Sequence, residues 1–237
     1  MGFDSIEAVA PEQLEVVLKH GLATAMFGTM DLWSGFIADE LAAENERIVR
    51  GNIELIAKHQ SKDTVVFLAT GTMNGLGAQE CHKRCVDRIG GLAQFAEAHD
   101  VVLGLEPLTD RYAMKGDRLL GVKDFYGTTI DRCLRIVNEI GSPKLGLVFD
   151  AYQVGTQEGD VIANIRRAGK HIVHFQIGGI PERRQPDASQ EMNLAPVLKA
   201  LRETGYSGFV AHEYYPDGSP RDVLHQMKQA VDLGWQS

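Results

Sequence analysis

LGLVFD, at residues 145–150, is the stretch that decides the fold, because it is an apolar run that ends on a carboxylate. Three other runs have the same form: VVLGLE at residues 101–106, IVHFQ at residues 172–176 and FVAHE at residues 209–213. Stretches of helical period separate these runs. Apolar strands that alternate with helices are typical of a parallel sheet covered on both faces. The sequence therefore predicts an α/β fold in which consecutive strands end on polar side chains.

Earlier apolar runs, at residues 5–10, 22–27 and 64–69, bring the predicted strands to seven. The predicted helices are residues 11–20, 38–58, 78–99, 129–140, 161–169, 194–204 and 222–233, with Thr128 or Thr129, Asp160 and Asn193 as caps and Gly141 at a C-terminus. A doubly wound open sheet would show the same alternation. Seven units are more than most such sheets contain, and in a barrel the polar strand ends would meet at one mouth. We therefore predict a single (β/α) barrel domain, residues 1–237.

The charge balance limits the partners that the protein could bind. The 237 residues include 32 acidic and 24 basic ones, a net charge of −8. This balance gives no electrostatic footprint for a nucleic-acid backbone, and the apolar runs are too short to span a membrane. The first residues lack the pattern of a signal peptide, and the chain has three cysteines, an odd number. We expect a cytoplasmic protein without nucleic-acid or membrane partners, and a homo-oligomer is compatible with the sequence.

Four consecutive strands end on an oxygen-bearing side chain: Glu106, Asp150, Gln176 and Glu213. Strand alternation allows each of them to point inward at the barrel mouth. Three carboxylates and an amide oxygen form a hard ligand set that suits Mg²⁺ or Mn²⁺ and suits Zn²⁺ poorly. Barrel strands often end in polar side chains that are ordinary loop-edge residues, but four in succession predict a divalent-metal site.

Several short motifs resemble the xylose isomerase-like barrel superfamily and, within it, the hydroxypyruvate isomerase family. They are LEPL (105–108), GSPKLGLVFDAY (141–152), HFQI (174–177) and EYYP (213–216), and they lie in the family's order. The similarity extends over about residues 2–213. The Gln at position 176, where sugar epimerases of the superfamily usually carry His, favours the hydroxypyruvate isomerase branch. Tyr152, Arg183 and Glu191 also match family positions.

The resemblance implies a 1,2-shift of hydrogen in a small α-hydroxycarbonyl acid or sugar through an enediolate, as in the conversion of hydroxypyruvate to tartronate semialdehyde. We expect Glu106 and Glu213 to be both metal ligands and the acid/base pair, because the reaction needs a positioned base and a cation. Asp150 and Gln176 would complete the metal shell. Expected substrate-binding residues are His174, Arg183, Tyr152 and Glu191. An Arg fork would suit a substrate carboxylate, although a solvated loop position is equally compatible with Arg183.

The chain departs from the family pattern in several places. The first residues resemble the family's second strand, so a first strand–helix unit of about 30 residues is expected before Met1. An upstream start site, a seven-stranded barrel or a partner subunit would each account for this. Met26, Thr109 and Gln153 replace the family's usual pocket residues. The connection at residues 110–121 is longer than usual and could form a lid.

Three alternative functions remain open at this point. The first is a ketose epimerase, sugar isomerase or inositol-type dehydratase that uses the same metal site. The second is the endonuclease branch of the superfamily, which is disfavoured because it needs several histidine ligands and a basic DNA-binding face. The third is a non-catalytic, truncated barrel. Assays on ketoses and on hydroxypyruvate, together with a measurement of metal binding, would separate them.

Overall fold

The computed structural model describes residues 2–28, 30–31, 35–59, 63–111, 114–115 and 118–236. The strands are β1 Ser5–Ile6, β2 Ala23–Thr24, β3 Met26–Phe27, β4 Val65–Leu68, β5 Val102–Leu105, β6 Met114–Lys115, β7 Arg118–Leu119, β8 Leu145–Asp150, β9 Ile172–Ile177 and β10 Val210–His212. The helices are α1 Leu14–Lys19, α2 Asp39–His59, α3 Ala78–His99, α4 Ile130–Ile140, α5 Ala151–Glu158, α6 Val161–Ala168, α7 Leu194–Glu203 and α8 Pro220–Gln236. No helix within these ranges has the length and apolar character that crossing a bilayer requires.

Six strands form a parallel sheet in the order β10-β9-β8-β5-β4-β3, and β1 pairs in parallel with β2. A parallel backbone bridge between Val9, which follows β1, and Phe27 in β3 links the β1–β2 pair to the larger sheet. The larger sheet is curled. The curl is evident from the contact between Glu7, just after β1, and His174 in β9, a strand far from β3 in the strand order. The predicted α/β architecture is confirmed as a partial barrel, and each of the seven predicted runs contributes strand residues. The run at residues 22–27 is divided into two short strands.

The wall of the barrel is open between β1 and β10. Within the described part of the chain, no backbone pairing joins these two strands. The ring of Phe3 instead packs edge-on against the ring of His212, with 5.6 Å between the ring centroids. Side-chain contacts therefore bridge the opening that the sheet leaves.

Strand register brings the carboxyl-terminal ends of the strands to one rim. Asp150 in β8 is level with Gln176 in β9, and Gln176 is level with Ala211 in β10. All neighbouring strands in this sheet are parallel. Residues that end these strands therefore lie side by side, as the sequence predicts.

The predicted helix caps are largely confirmed. The side chain of Thr129 accepts a hydrogen bond from the Arg132 N–H at the start of α4, and Gly141 ends that helix with φ +68°. The side chain of Asp160 accepts from the Ala163 N–H in α6. Asn193 occupies the N-cap position of α7, but its side chain makes no capping bond. Local hydrogen bonding thus sets both ends of α4 and the start of α6.

Two elements were not predicted. Helix α5 begins directly after β8, where Asp150 Oδ1 accepts from the Tyr152 N–H at 2.8 Å. Gly155 lies inside this helix and weakens its sequence signal, but a Cβ there would lie 2.3 Å from Ile180 Cδ1. The other element is the antiparallel hairpin β6–β7, which lies in the connection predicted as a lid. Close packing against Ile180 explains why residue 155 is a glycine. Tertiary contacts described below hold the hairpin in place.

Candidate active site and metal centre

Three carboxylates converge at the carboxyl-terminal rim of the sheet. Glu106 follows β5 directly, Asp150 is the last residue of β8, and Glu213 follows β10. Each offers one oxygen, and these three atoms lie within 4.8 Å of one another. The N–H of Glu106 donates to the Leu68 carbonyl and that of Glu213 to the Ile177 carbonyl, both at 3.0 Å. The hydrogen bonds that extend the sheet therefore also position two of the acids.

Arg183 provides a positive charge in this cluster. Its Nη2 lies 2.7 Å from Glu213 Oε1 and 3.0 Å from Asp150 Oδ2. The guanidinium lies over the ring of Tyr152, 5.2 Å from its centroid. Its φ is +52°, in the left-handed region that non-glycine residues rarely adopt, at a cost of about 1 kcal/mol. Arg183 is thus held against two carboxylates, and its role in holding a substrate carboxylate stays a prediction.

The loop that carries Arg183 passes close to the end of β10. A Cβ at Gly178 would lie 2.8 Å from the carbonyl oxygen of Glu213 and 3.2 Å from Tyr152 Cβ. Further along, the Tyr215 N–H donates to the Arg183 carbonyl at 2.7 Å. The absence of a side chain at Gly178 therefore allows the loop after β9 and the end of β10 to share one site.

Burial and mutual repulsion raise the pKa values of the three carboxyl groups. Burial raises the pKa of Glu106 well above its ordinary value, and the charges of Glu213 and Asp150 add to this effect. Burial also raises the pKa of Asp150, against the attraction of Arg183. Burial raises the pKa of Glu213 to about 8, again opposed by Arg183. Although 39% of the Glu213 side chain is exposed, its Oε2 is shielded from solvent, so desolvation acts on the charged atoms. One arginine does not neutralise three ionised carboxylates.

The converging carboxylates and the oxygens without partners around them are compatible with a bound metal ion. Glu106 Oε1, Gln176 Oε1 and Glu213 Oε2 are buried, and none has a hydrogen-bond partner within the described ranges. A buried oxygen without a partner is costly, and three of them at one rim call for a cation. The acidic cluster could therefore hold a metal ion. The participation of Gln176 and the identity of the ion stay predictions.

Glu7 is a site residue that sequence reasoning missed. Its Oε2 lies 2.8 Å from His174 Nε2 and accepts a hydrogen bond from Gln176 Nε2 at 3.2 Å. His174 and Gln176 are each 1% exposed, so this contact is buried inside the barrel. A carboxylate in the otherwise apolar run at residues 5–10 was the available signal.

A cavity of about 280 Å³ opens onto the carboxylates. Glu106, Arg183 and Glu213 line it, together with Met26 and Gln153, two of the altered family positions. The rest of the lining is mostly apolar and comprises Ala8, Gly28, Met30, Phe67, Leu108, Gly121, Val122 and Tyr215. The volume suits a small substrate, since pockets for drug-sized ligands are usually about 300–1,000 Å³.

The remaining predicted residues are not all brought together. Tyr152 is fully buried beneath Arg183, and His174 faces Glu7. Glu191 is exposed and is not among the residues that line the cavity. Thr109 and Gln153, both departures from the family pattern, contact each other, because the Thr109 N–H donates to Gln153 Oε1 at 2.9 Å. These two positions therefore form one local unit beside the cavity.

The hairpin β6–β7 is attached to the loops that carry the site. Lys115 forms an ion pair with Glu182, the neighbour of Arg183. The guanidinium of Arg118 lies over the ring of Tyr215, 5.4 Å from its centroid. Both contacts connect the hairpin to the cavity rim, and its role as a lid stays a prediction.

Acidic side chains that converge at the carboxyl ends of a curled parallel sheet define a (β/α)-barrel protein whose mouth could bind a metal. A family model described as xylose isomerase-like TIM barrel matches residues 1–233. The chain belongs to this family.

The chain is similar to two named isomerases. It is 29% identical to 2-oxo-tetronate isomerase of Cupriavidus necator over 136 residues, which are 57% of this chain and 48% of that protein. It is 24% identical to hydroxypyruvate isomerase of Escherichia coli (strain K12) over 156 residues, 66% of this chain and 57% of that protein. The matches thus span about half the length of these relatives.

A solved structure of IOLI protein with a zinc atom resembles the fold. The TM-score is 0.76 at 18% identity, and the match covers 99% of this chain and 88% of that chain. At this identity the likeness concerns the fold alone.

Proposed function

We propose that this protein is a metal-dependent isomerase that acts on a small α-hydroxycarbonyl compound through an enediolate, with hydroxypyruvate as the first substrate to test. The observation that carries the proposal is the convergence of Glu106 and Glu213 on one cavity. The names of two relatives, hydroxypyruvate isomerase and 2-oxo-tetronate isomerase, support an isomerase.

The reaction moves one hydrogen between neighbouring carbons. One glutamate removes a proton from C3 of hydroxypyruvate, and the bonding electrons form a C2–C3 double bond while the carbonyl electrons move to O2. The other glutamate delivers a proton to C2. The C3 hydroxyl proton passes to O2, which leaves an aldehyde at C3 and a hydroxyl at C2. No external oxidant or reductant is needed, because the product is an isomer of the substrate.

The carboxyl groups suit this role because their pKa values are raised. In the metal-free chain burial raises the pKa of Glu213 to about 8. A bound cation would lower this pKa again, toward neutral pH, where a group can both accept and return a proton. The pKa of Glu106 is also raised. In the metal-free chain Glu106 and Glu213 therefore both hold protons far more readily than exposed glutamates do.

Glu106, Asp150, Gln176 and Glu213 would hold the metal ion. When bound, the ion would neutralise negative charge on the enediolate oxygens. An all-oxygen ligand set favours Mg²⁺ or Mn²⁺. Arg183 lines the same cavity, and its buried Nε has no hydrogen-bond partner in the described part of the chain. That donor supports Arg183 as the group that orients a substrate carboxylate.

Steady-state isomerisation of hydroxypyruvate by metal-loaded protein tests the proposal. Glu106→Gln and Glu213→Gln should each lower kcat by at least about 10²-fold, the usual contribution of a positioned acid or base. Glu203→Gln is the matched control, because Glu203 is an exposed acid on α7 that pairs with Arg166 away from the cavity. Wild-type activity in either site variant would overturn the acid/base assignment.

A ketose epimerase or isomerase is the second candidate, and one observation favours it. Arg183 is the cation that lines the cavity among the described residues, and it already pairs with two carboxylates. A neutral sugar needs no cation in the cavity, whereas a hydroxy acid would depend on Arg183 Nε, which has no partner among the described residues. Parallel assays with ketoses and with hydroxypyruvate separate the two. A protein that binds no divalent ion at micromolar concentration would favour the non-catalytic alternative instead.

A further inference from the structure

We propose that Glu7 is a positioning residue that turns the side-chain amide of Gln176 so that its oxygen faces the carboxylate cluster. This inference rests on the proposed metal-dependent function, because it concerns how one metal ligand is oriented. Glu7 has no role in the sequence-derived site, and it reaches Gln176 from the opposite side of the curled sheet.

The hydrogen bond between the two side chains fixes the amide in one orientation. Gln176 Nε2 donates to Glu7 Oε2 at 3.2 Å. An ionised carboxylate only accepts hydrogen bonds, so the amide must present its NH₂ group to Glu7. A flipped amide would place Oε1 against a carboxylate oxygen, which is repulsive. The Glu7 contact therefore selects one of two nearly isosteric amide orientations.

The selected orientation leaves the amide oxygen available as a ligand. Gln176 Oε1 is buried and has no hydrogen-bond partner in the described part of the chain. Gln176 is level with Asp150 across β8 and β9, and Glu213 follows the strand on its other side. A buried acceptor without a partner at this position matches a metal ligand better than a purely structural amide.

His174 holds Glu7 in place. Its Nε2 lies 2.8 Å from the same carboxylate oxygen that accepts from Gln176. The His174 side chain is 1% exposed and that of Glu7 is 14% exposed, so water competes little for these bonds. Two donors on alternate residues of β9 thus hold one carboxylate. The Glu7 oxygen therefore has a fixed position relative to the Gln176 amide.

A purely structural role for Glu7 would have a different consequence. Glu7 would then tie the β1–β2 pair to β9. Its loss would lower the stability of the fold, and any change in metal affinity would be the same with or without Gln176. The negative charge of Glu7 would attract a cation whether or not Gln176 is present. If Glu7 orients the amide, the effects of the Glu7 and Gln176 substitutions on metal affinity should be coupled. A structural role or a simple charge effect of Glu7 would give independent effects.

A double-mutant cycle on metal-stripped protein tests the proposal, with Mn²⁺ affinity measured by isothermal titration calorimetry. We expect Glu7→Ala to weaken Mn²⁺ binding about 10- to 100-fold, as is usual for a group that orients a metal ligand. Gln176→Ala should weaken binding as well. The double variant Glu7→Ala/Gln176→Ala should bind about as weakly as Gln176→Ala alone.

Glu7→Met is measured beside Glu7→Ala, because it keeps side-chain volume while removing the acceptor. Glu15→Ala is the matched control, since Glu15 is an exposed acid on α1. Wild-type Mn²⁺ affinity in the Glu7 variants, or losses that multiply in the double variant, would overturn the proposal while leaving the proposed function intact. Absence of Mn²⁺ binding to the wild-type protein would overturn both.

Discussion

Arg183 Nη2 lies 2.7 Å from Glu213 Oε1, and the same nitrogen lies 3.0 Å from Asp150 Oδ2. This contact joins the loop after β9 to the ends of β8 and β10. It also gives the acidic cluster an internal counter-charge, which matters because the pKa values of the three carboxyl groups are raised. The stability and metal affinity of the protein therefore depend on the balance between this arginine, protons and a divalent ion.

Arg183→Met should destabilise the metal-stripped protein. Removing one partner of a buried ion pair leaves an uncompensated charge, which typically costs about 3 kcal/mol. Saturating Mn²⁺ should recover much of the loss, because the ion would neutralise the same carboxylates. Urea unfolding with and without Mn²⁺ measures both effects.

Arg184→Met is the control for that experiment. Arg184 is 20% exposed and pairs with Glu182 and Asp217, which are 37% and 62% exposed. Ion pairs with such exposed partners contribute at most about 1 kcal/mol. Equal destabilisation by the two variants, or no recovery of Arg183→Met by Mn²⁺, would contradict the assigned role of Arg183.

The stability of the metal-stripped protein should fall as the pH rises from about 5 to about 9 around the Glu213 pKa of about 8. The pKa of Glu213 is higher in the folded chain than its ordinary value of 4.5, so the folded state binds more protons between these values. The stabilising contribution of the protonated group is complete below the ordinary value and is lost as the pH passes the folded value. Thermal unfolding midpoints across this range measure the effect.

Two comparisons control the pH experiment. Glu213→Gln should flatten the dependence, because the titrating group is gone. The increase in midpoint on adding Mn²⁺ should grow with pH in the wild-type protein, since a metal ion displaces the protons. A wild-type profile that matches that of Glu213→Gln would contradict the raised pKa as its source.

Gly178→Ala should weaken metal binding without unfolding the protein. The new Cβ would lie 2.8 Å from the Glu213 carbonyl oxygen, so the end of β10 must shift. We expect at least about a tenfold loss of Mn²⁺ affinity, the lower end of the effect of disturbing ligand orientation. Gly91→Ala, in α3, is the control because nothing lies within 4 Å of the added Cβ. Unchanged affinity in Gly178→Ala would show that this close approach does not set the position of Glu213.

Glu182→Gln should loosen the hairpin β6–β7 by removing its ion pair with Lys115. Surface pairs contribute less than about 1 kcal/mol, so we expect a rise of about threefold in the rate of tryptic cleavage at Lys115 or Arg118. The substitution leaves both cleavage sites intact. Glu203→Gln removes an exposed pair elsewhere and should leave the rate unchanged. Equal rates in the two variants would mean that Glu182 does not hold the hairpin.

The strand ends of this protein were predictable because local rules determine them. An apolar run followed by a carboxylate marks a buried strand and its rim, and this rule located Glu106, Asp150 and Glu213. Glu7 escaped prediction because its partners His174 and Gln176 lie more than 160 residues away and meet it only through the curl of the sheet. The pairing of Arg183 escaped it as well, since the pairing depends on a loop conformation with φ +52°.

The most direct test of the central claim follows hydroxypyruvate in D₂O by proton NMR with Mg²⁺-loaded protein. We expect tartronate semialdehyde that carries deuterium at C2, because the glutamate that delivers the proton exchanges with solvent. This deuterated product should not form when EDTA removes the metal, nor in the Glu213→Gln variant. Unchanged turnover after EDTA treatment or in Glu213→Gln, or no conversion of hydroxypyruvate by the loaded wild-type protein, would contradict the account.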